Sequence, residues 1–449
     1  MLRIDEPAAR EASTKVSAVS TATHKKILIH SMNFYPEFIG VGKYSGELAF
    51  NLSKKGHQVE VVAAPPHYPG WSVRAPYPTW RFLRETIQGV SVLRCPLFTG
   101  NGGGLSRMLA PLSFAAFAAP AVFWRILRSR PDVVVCVEPT LFSAPAALLA
   151  GKLVGARTVL HIQDLEVDAA FEVGHLKGPR IRALANALEG ALLRRFDLLV
   201  TISSQMRQAL LRKGAPADRA IVLRNWVDLD AIRPLPPDAP NGYRDALGLA
   251  KDKFVVLYSG HMGRKQALDG VLDAARQCLD QPNLHFVIAG EGPVKAQLVE
   301  AYGQLPNVSF LPLQPLERLN ELLNLANLHI LPQTRAAADL VLPSKLGGML
   351  ASGRPVVATV DPETELGRLL RGAAVLTPPD DSAAIANAIT SAATRDLSEL
   401  VERGRVVAMQ LSDKYILPRF EEALVGPMPS YEEASDPLAD QLSAARFSS

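Results

Sequence analysis

Three things are scarce in this sequence: cysteine, excess charge, and any apolar segment at the N-terminus. The three cysteines, Cys95, Cys136 and Cys278, lie far apart, which fits neither a disulfide framework nor a zinc site and favours a reducing, cytoplasmic compartment. The 48 basic and 44 acidic residues leave a charge of +4, which does not indicate nucleic acid binding but is compatible with anionic substrates or an anionic membrane surface. Residues 1–24 lack the apolar run of a signal peptide, so we expect a flexible tail there and a second one over residues 426–449.

The chain contains two successive series of alternating strands and helices. The apolar run "KKILIHSM" leads through a glycine loop into a helical pattern that stops at Gly56, and the alternation restarts at "KFVVLYSG". The stretch "RPLPPDAPNG" between the two series is rich in proline and is typical of a linker. We therefore predict an α/β fold of two doubly wound domains, residues 25–226 and 227–411, with ligands bound at the carboxyl ends of the strands.

Two loops in the second half combine glycine with positive charge. In "SGHMGRKQALDG", Gly260 removes a side chain after a strand, and Arg264 and Lys265 precede a helix, which is an arrangement suited to phosphate. In "VLPSKLGGML", Ser344 could cap a helix beginning near Lys345, so that hydroxyl, N–H groups and ammonium converge on one pyrophosphate. The alternatives are a strand-to-helix turn with solvated charges and a capped helix with an exposed lysine.

Glycine also marks the ends of other predicted strands. In "IAGEGP", Gly290 and Gly292 would let a ligand lie against the backbone, and Glu291 could accept hydrogen bonds from hydroxyls or a base; a plain turn is the alternative. Gly40 and Gly42 stand at the mouth of the first helix. The complete dinucleotide-binding fingerprint is absent, and no acidic residue ends the second strand, so both features argue against a dehydrogenase.

Two ionisable residues near the end of the strand "ARTVLHIQD" are candidates for catalysis. Asp164 lies just beyond the strand, where a site would form, and His161 lies within it. The histidine could equally be a core residue with its hydrogen bonds satisfied.

The stretch from Met108 to Trp124 carries no charge and is flanked by arginines. It could be a buried core helix, an interfacial helix that dips into the bilayer, or a membrane span. A span would need about 20 apolar residues, and it would separate strands that should share one sheet. Phe114, Phe117 and Trp124 are the candidate membrane or acceptor contacts.

Several of these motifs together resemble one family. The stretches "NFYPEFIGVGKYSGELA", "GARTVLHIQDLEVDA", "YSGHMGRKQAL" and "ADLVLPSKLGGMLASGRPV" are similar to those of the retaining, nucleotide-sugar-dependent glycosyltransferases of family 4, also called glycosyl transferase group 1. Within that family the likeness is to exopolysaccharide enzymes of colanic acid biosynthesis that are assigned as fucosyltransferases. The resemblance covers roughly residues 26–424 and implies the GT-B fold, in which two Rossmann-like domains face a central cleft.

The resemblance also implies roles for particular residues. The second domain would hold the diphosphate of a GDP- or UDP-linked sugar, the first would hold the acceptor, and a helix at residues 412–425 would cross back onto the first domain. No cofactor and no metal ion would be required. The implied donor-binding residues are Gly40, Gly42, Gly260, Arg264, Lys265, Gly290, Glu291, Gly292, Leu342, Ser344 and Lys345. The acceptor would be a glycan on polyprenyl diphosphate, which places the protein peripherally on the inner face of the cell membrane.

The sequence departs from the family pattern at two positions. Many relatives carry paired glutamates eight residues apart; here the second position is Gly348, and Asp339 is the nearest carboxylate that could substitute. The family's histidine after the fifth strand falls at Gln163. We therefore take Asp164, His161 and Asp339 as the catalytic candidates. The alternative functions are a nucleotide-sugar epimerase or hydrolase of the same fold and an inactive scaffold of polysaccharide assembly.

Overall fold

The computed structural model describes residues 24–99, 104–172, 178–236, 238–335 and 342–427. Nearly all of the two predicted tails and the catalytic candidate Asp339 lie outside these residues.

The first domain is built on one eight-stranded sheet, parallel except for its edge strand. Its strands are β1 (Lys26–Ser31), β2 (Gln58–Ala63), β3 (Leu83–Ile87), β4 (Val90–Arg94), β5 (Val133–Val137), β6 (Arg157–Ile162), β7 (Leu198–Thr201) and β8 (Ala220–Val222). They are arranged in the order β3-β4-β2-β1-β5-β6-β7-β8, and only β3 runs antiparallel to its neighbour. The strand order reverses between β1 and β5, which is where sheets of this kind open a crevice for ligands.

Helices cover both faces of this sheet because successive strand residues point to opposite sides. The helices are α1 (Gly40–Lys54), α2 (Gly104–Ser129), α3 (Ala144–Val154), α4 (Glu166–Glu172), α5 (Pro179–Leu193) and α6 (Ser204–Arg212). Residues of α2, α3, α5 and α6 share one core cluster with alternate strand residues such as Leu28 and Val134. The other strand residues, such as Ile27 and Ile29, pack with α1 in a second cluster.

The second domain has a six-stranded parallel sheet in the order β11-β10-β9-β12-β13-β14. Its strands are β9 (Phe254–Ser259), β10 (Leu284–Ala289), β11 (Val308–Leu311), β12 (Leu328–Leu331), β13 (Val356–Thr359) and β14 (Val375–Thr377). Its helices are α7 (Gly242–Ala246), α8 (Leu268–Gln277), α9 (Lys295–Tyr302), α10 (Leu319–Leu325), α11 (Leu346–Ala351), α12 (Glu365–Leu370), α13 (Ser382–Ala392) and α14 (Ser398–Gln410). The two sheets confirm the predicted pair of doubly wound α/β domains.

The chain passes between the domains twice, at adjacent points. Val227 N–H donates to the carbonyl of Leu411 at 2.9 Å, and Asp413 N–H donates to the carbonyl of Val227 at 3.0 Å. The last described helix, α15 (Asp413–Val425), then packs on the first domain, where Phe420 and Leu424 are fully buried in the same cluster as α1. The end of the chain therefore completes the domain with which it began.

Helix α2 buries one side in the core and exposes apolar side chains on the other side. Ala110, Phe114 and Val122 recur at helical spacing and are buried against the sheet, while Leu112 and Trp124 are exposed. By length and composition alone, Leu109–Ser129 could cross a membrane, a test that buried core helices also pass. Because β4 before α2 and β5 after it lie in one sheet, the helix cannot both cross a bilayer and keep this packing.

The prediction that Phe114 contacts the membrane is wrong. Its side chain is 1% exposed, and its ring stacks on His30 with 5.6 Å between the centroids. The helical period places it on the face that packs against the sheet. Phe117 is half-buried between Phe82 and Phe98, whereas Trp124 is exposed.

Candidate active site

A cavity of about 280 Å³ opens between the carboxyl ends of the two sheets. Both domains line it, and the lining residues are Gly40, Val41, Tyr44, Gln163, Ile202, Asn225, Lys265, Gln266, Pro332, Gln333, Leu342, Pro343, Ser344 and Lys345. Five of the predicted donor-binding residues are among them: Gly40, Lys265, Leu342, Ser344 and Lys345. The described structure therefore brings the two predicted lysines into one cleft, although they are distant in the sequence.

The amine of Lys345 packs against an aromatic ring at the cavity and has no ion-pair partner among the described residues. Its Nζ lies 4.0 Å from the centroid of the Tyr258 ring, and Gly260 is close enough that a Cβ there would stand 3.5 Å from Nζ. Among the described residues, no carboxylate lies within ion-pair distance of this nitrogen. Burial lowers the pKa of Lys345 to about 7. An anionic ligand would restore the charge of this group.

Ser344 does not cap the following helix as predicted. Helix α11 begins at Leu346 with Lys345 as its N-cap residue, and no side chain caps it. The Ser344 side chain instead hydrogen-bonds the Tyr44 hydroxyl of the first domain. Burial raises the pKa of Tyr44, and this hydrogen bond opposes the rise. The contact joins the two walls of the cleft beside Lys345.

The basic loop after β9 forms a single turn of 3₁₀-helix, Arg264–Gln266. Gln266 folds back so that its Oε1 accepts from Gly263 N–H at 3.0 Å, and the carbonyl of Lys265 accepts from Thr334 N–H at 3.0 Å. These bonds fix the loop at the rim of the cavity. Arg264 is exposed and does not line the cavity.

The glycines around Glu291 allow two loops to pack backbone against backbone. A Cβ at Gly290 would stand 1.8 Å from the carbonyl oxygen of Gly260, and a Cβ at Gly292 would stand 2.2 Å from that of Met262. Glu291 itself forms an ion pair with Lys295 at 2.6 Å, and its side chain is half-exposed. Packing between two loops of the protein therefore explains why Gly290 and Gly292 are glycines. The role of Glu291 beside a nucleoside stays a prediction.

The first domain contributes a wall of side-chain amides. Gln163 and Asn225 exchange two hydrogen bonds of 3.1 and 3.0 Å, and Gln163 Nε2 also lies 3.1 Å from His161 Nε2. His161 is fully buried beneath them, packs on Phe420, and has its pKa lowered to about 3 by burial. Asp164 lies exposed at the end of β6, where its Oδ1 accepts from Leu165 N–H. His161 thus supports Gln163 from the core and does not line the cleft.

Two family models match nearly the whole of the described core. Residues 40–226 match the glycosyl transferase 4-like domain, and residues 253–395 match glycosyl transferases group 1. The chain is also 40% identical over 377 residues to the protein of Escherichia coli K12 described as colanic acid biosynthesis glycosyl transferase WcaI, a match that covers 82% of this chain and 92% of that protein.

The chain belongs to the group 1 glycosyltransferases.

Solved structures show the fold of this glycosyltransferase. Anabaena Alr3699/HepE, crystallised with UDP and glucose, superposes with a TM-score of 0.64 at 18% identity, over 90% of this chain and 100% of that one. The sucrose-phosphate synthase of Thermosynechococcus elongatus superposes with a TM-score of 0.66 at 17% identity, over 94% of this chain and 100% of that one. The predicted GT-B architecture is therefore confirmed.

The glycine-rich entrance of the first domain is shaped by a buried carboxylate that the sequence analysis missed. Glu37 is 1% exposed and accepts hydrogen bonds from Asn33 Nδ2 and from the backbone N–H groups of His67 and Tyr68, all between 2.8 and 2.9 Å. A Cβ at Gly42 would stand 2.7 Å from its Oε2. The glycosyltransferase thus uses Gly42 to admit Glu37, which ties together two loops beside the cleft.

A second missed carboxylate clamps the two domains of the glycosyltransferase together. Glu365, at the start of α12 in the second domain, accepts from the backbone N–H groups of Ser204 and Gln205 at 3.0 Å each, where α6 of the first domain begins. Arg224 Nη1 donates to the same carboxylate at 2.6 Å. No local sequence signal indicates this contact, because its partners are more than 140 residues away.

The part of the chain that the structure describes contains no group of three or more histidine, cysteine, aspartate or glutamate side chains that could hold a metal ion.

Proposed function

We propose that this glycosyltransferase moves a sugar, with retention of anomeric configuration, from a nucleoside diphosphate donor to a polyprenyl-diphosphate-linked glycan in the assembly of a colanic-acid-type exopolysaccharide. The observation that carries the proposal is the placement of Lys345 and Lys265 on one cavity between the two domains, where burial lowers the pKa of Lys345 and no carboxylate of the described residues pairs with it. A diphosphate is the part of such a donor that satisfies this site.

The chemistry follows from where negative charge develops. As the bond between the sugar and the diphosphate breaks, charge accumulates on the leaving phosphate. Fixed cations in a site of low dielectric stabilise that charge more than water would. Lys345 and Lys265 supply those cations, the Ser344 hydroxyl donates a hydrogen bond, and Arg264 at the rim adds to the positive field. No metal ion is needed for this step.

The acceptor lies on the wall of the first domain in this proposal. The amides of Gln163 and Asn225 present hydrogen-bonding groups to sugar hydroxyls, and their mutual bonds hold them in place. Asp164 stands at the end of the same strand as the candidate general base. His161 is neutral at physiological pH because burial lowers its pKa to about 3, so it acts through Gln163 as a positioning residue.

The nature of the donor is proposed from the relatives. HepE was crystallised with UDP, which supports a nucleotide sugar, and the likeness to colanic acid enzymes supports fucose, carried on GDP, as the sugar. The exposed apolar side chains of α2, Leu112 and Trp124, support a peripheral position on the inner face of the cell membrane, where a lipid-linked acceptor is found.

A thermal-shift panel of GDP-, UDP- and ADP-linked sugars tests the donor site. A ligand present at 100 times its dissociation constant adds about 2.7 kcal/mol to the stability of the folded state. We expect one nucleotide to stabilise the wild type, Lys345→Ala to abolish the response, and Lys54→Ala, at an exposed position on α1, to retain it. An unchanged response in Lys345→Ala contradicts the assignment. Release of free sugar without transfer to any acceptor would instead indicate a hydrolase.

A further inference from the structure

The outward sides of three helices on one face of the first domain are apolar. On α2 the exposed fractions are 53% for Leu109, 44% for Leu112 and 68% for Trp124. On α3 and α5 the exposed residues are Leu149 (56%), Leu153 (63%), Ile181 (51%), Leu184 (62%) and Leu188 (63%). We call these eight side chains the three-helix face. Because the inner sides of α2, α3 and α5 share one core cluster, the three helices lie on the same side of the sheet.

The helices on the opposite side of the sheet do not share this character. Helices α1 and α15 expose a single large apolar side chain between them, Tyr415 at 37%, among the residues that the structure describes. Scattered exposed apolar residues are ordinary on protein surfaces, but their concentration on one face of one domain is typical of a contact surface.

Charge on the same helices selects the kind of partner. Helices α2, α3 and α5 contain six arginine and lysine residues and a single acidic residue, Glu189. That glutamate is buried and bonded to Lys213 at 2.6 Å. Of the six basic residues, Arg125, Lys152 and Arg182 pair with the carboxylates of Glu60, Asp197 and Asp168 on neighbouring elements. Arg128, Arg180 and Arg182 are exposed. Exposed apolar side chains together with exposed arginines such as Arg128 and Arg180 complement an anionic bilayer. The apolar side chains would enter the acyl boundary, and the arginines would contact the headgroups.

Aromatic residues extend the face at one edge. Phe117 of α2 lies 6.5 Å from Phe82 and 6.0 Å from Phe98 between ring centroids, and both of those rings are about half exposed. Trp80 is 71% exposed, with the Arg81 guanidinium 5.9 Å from its ring. Tryptophan beside a cation is typical of side chains that sit at the level of lipid headgroups.

We propose that the whole three-helix face lies on the surface of an anionic bilayer, so that the first domain docks by α2, α3 and α5 together. This inference rests on the proposed function, which invokes only α2. Helices in a parallel α/β domain begin near the carboxyl ends of the strands, where the cleft lies. Leu109 and Leu112 near the start of α2 and Ile181 and Leu184 near the start of α5 therefore place the cleft at the membrane surface. At ~1.5 Å per residue, α2 extends the contact over roughly 40 Å.

Paired substitutions, one pair per helix, test the proposal with vesicles containing phosphatidylglycerol. The pairs are Leu112→Gln with Trp124→Gln on α2, Leu149→Gln with Leu153→Gln on α3, and Leu184→Gln with Leu188→Gln on α5. All six positions are exposed, so the variants should fold. We expect each pair to weaken co-sedimentation about tenfold, since each removes two side chains that the bilayer would bury.

The second domain offers a matched control for these substitutions. Val406→Gln with Met409→Gln alters an equally exposed apolar pair on α14 of the second domain and should bind vesicles like the wild type. The inference is wrong if the α3 and α5 pairs bind normally while the α2 pair does not, a result that leaves the proposed function intact. It is also wrong if neutral phosphatidylcholine vesicles bind as well, or if light scattering shows a dimer that the same substitutions dissociate. Failure of every sugar nucleotide to stabilise the wild type would count against the proposed function alone.

Discussion

The low pKa of Lys345 predicts that nucleotide binding weakens as pH rises. In the free protein, burial holds this pKa at about 7. A bound diphosphate would return it toward the ordinary value of about 10.4. Between about pH 7 and about pH 9 the complex therefore keeps a proton that the free protein has released, so binding takes up a proton and weakens with increasing pH.

The magnitude follows from the protonated fraction of the free protein. With a pKa of about 7, that fraction falls from one half at about pH 7 to roughly one hundredth at about pH 9, so the dissociation constant should rise about fiftyfold. Because part of the Lys345 side chain remains exposed to water, this value is the upper limit of the expected effect. His261, beside it, has its pKa lowered by burial and by Lys345, and burial raises the pKa of Tyr258, so neither residue titrates in this range.

Isothermal titration with a UDP- or GDP-linked sugar over this range measures the effect, since both phosphates of a sugar nucleotide are esterified and stay fully ionised there. Lys345→Arg is the matched control because guanidinium remains charged throughout, and its pH profile should be flat. Titration in two buffers of different ionisation enthalpy should reveal the uptake of one proton in the wild type. A wild-type dissociation constant that changes less than about threefold, or a Lys345→Arg profile as steep as that of the wild type, would refute the reasoning.

Three further predictions concern stability and are measured by urea denaturation. Gly292→Ala should lower the free energy of unfolding by about 2 kcal/mol or more, because its Cβ would meet a backbone carbonyl oxygen at 2.2 Å. Gly270→Ala on α8 should be neutral or stabilising, because its Cβ would meet only the Ile385 side chain, at an ordinary contact distance of 3.9 Å. Equal effects of the two substitutions would contradict the packing argument. Glu365→Ala should lower the free energy of unfolding by about 3 kcal/mol, because it removes the hydrogen bonds and the ion pair that join the two domains. The control Glu363→Ala should lower it by less than about 0.5 kcal/mol, because the Glu363 carboxylate is 70% exposed. A small effect at Glu365 would mean that other contacts hold the domains together. Phe114→Ala should lower the free energy of unfolding by about 4 kcal/mol, because it leaves a cavity in the core. The folded fraction of this variant should still bind vesicles. A phenylalanine that faced the membrane would give the opposite pair of results.

The parts of the structure that the sequence predicted are those set by local patterns. Apolar runs followed by glycine fix the strand ends, and strand ends in a parallel sheet meet at one edge, where ligands bind. The family resemblance then assigned Lys265 and Lys345 to one site, and both line the cavity. The roles of Gly290 and Gly292 could not be assigned in the same way. A glycine that admits a ligand and a glycine that admits another loop look alike in sequence, and only the distances to Gly260 and Met262 distinguish them.

The residues that the sequence analysis missed or misassigned depend on long-range packing. Glu365 has its partners in the other domain, and Glu37 gathers donors from a loop 30 residues away. Helix α2 shows a different difficulty, because its sequence is apolar on every side. Periodicity then carries no information about which side is buried, so Phe114 and Trp124 could not be told apart before the sheet was seen.

The return of α15 to the first domain has a consequence for synthesis of the chain. The ribosome finishes the strands of the first sheet at Val222 but does not supply Phe420 and Leu424, which seal one of its two cores, until the whole second domain has been made. During synthesis, this core of the first domain therefore stays incompletely packed while the second domain is made and folds. A chain that stops short of α15 would retain every lysine of the cleft and still be a substrate for chaperones and proteases.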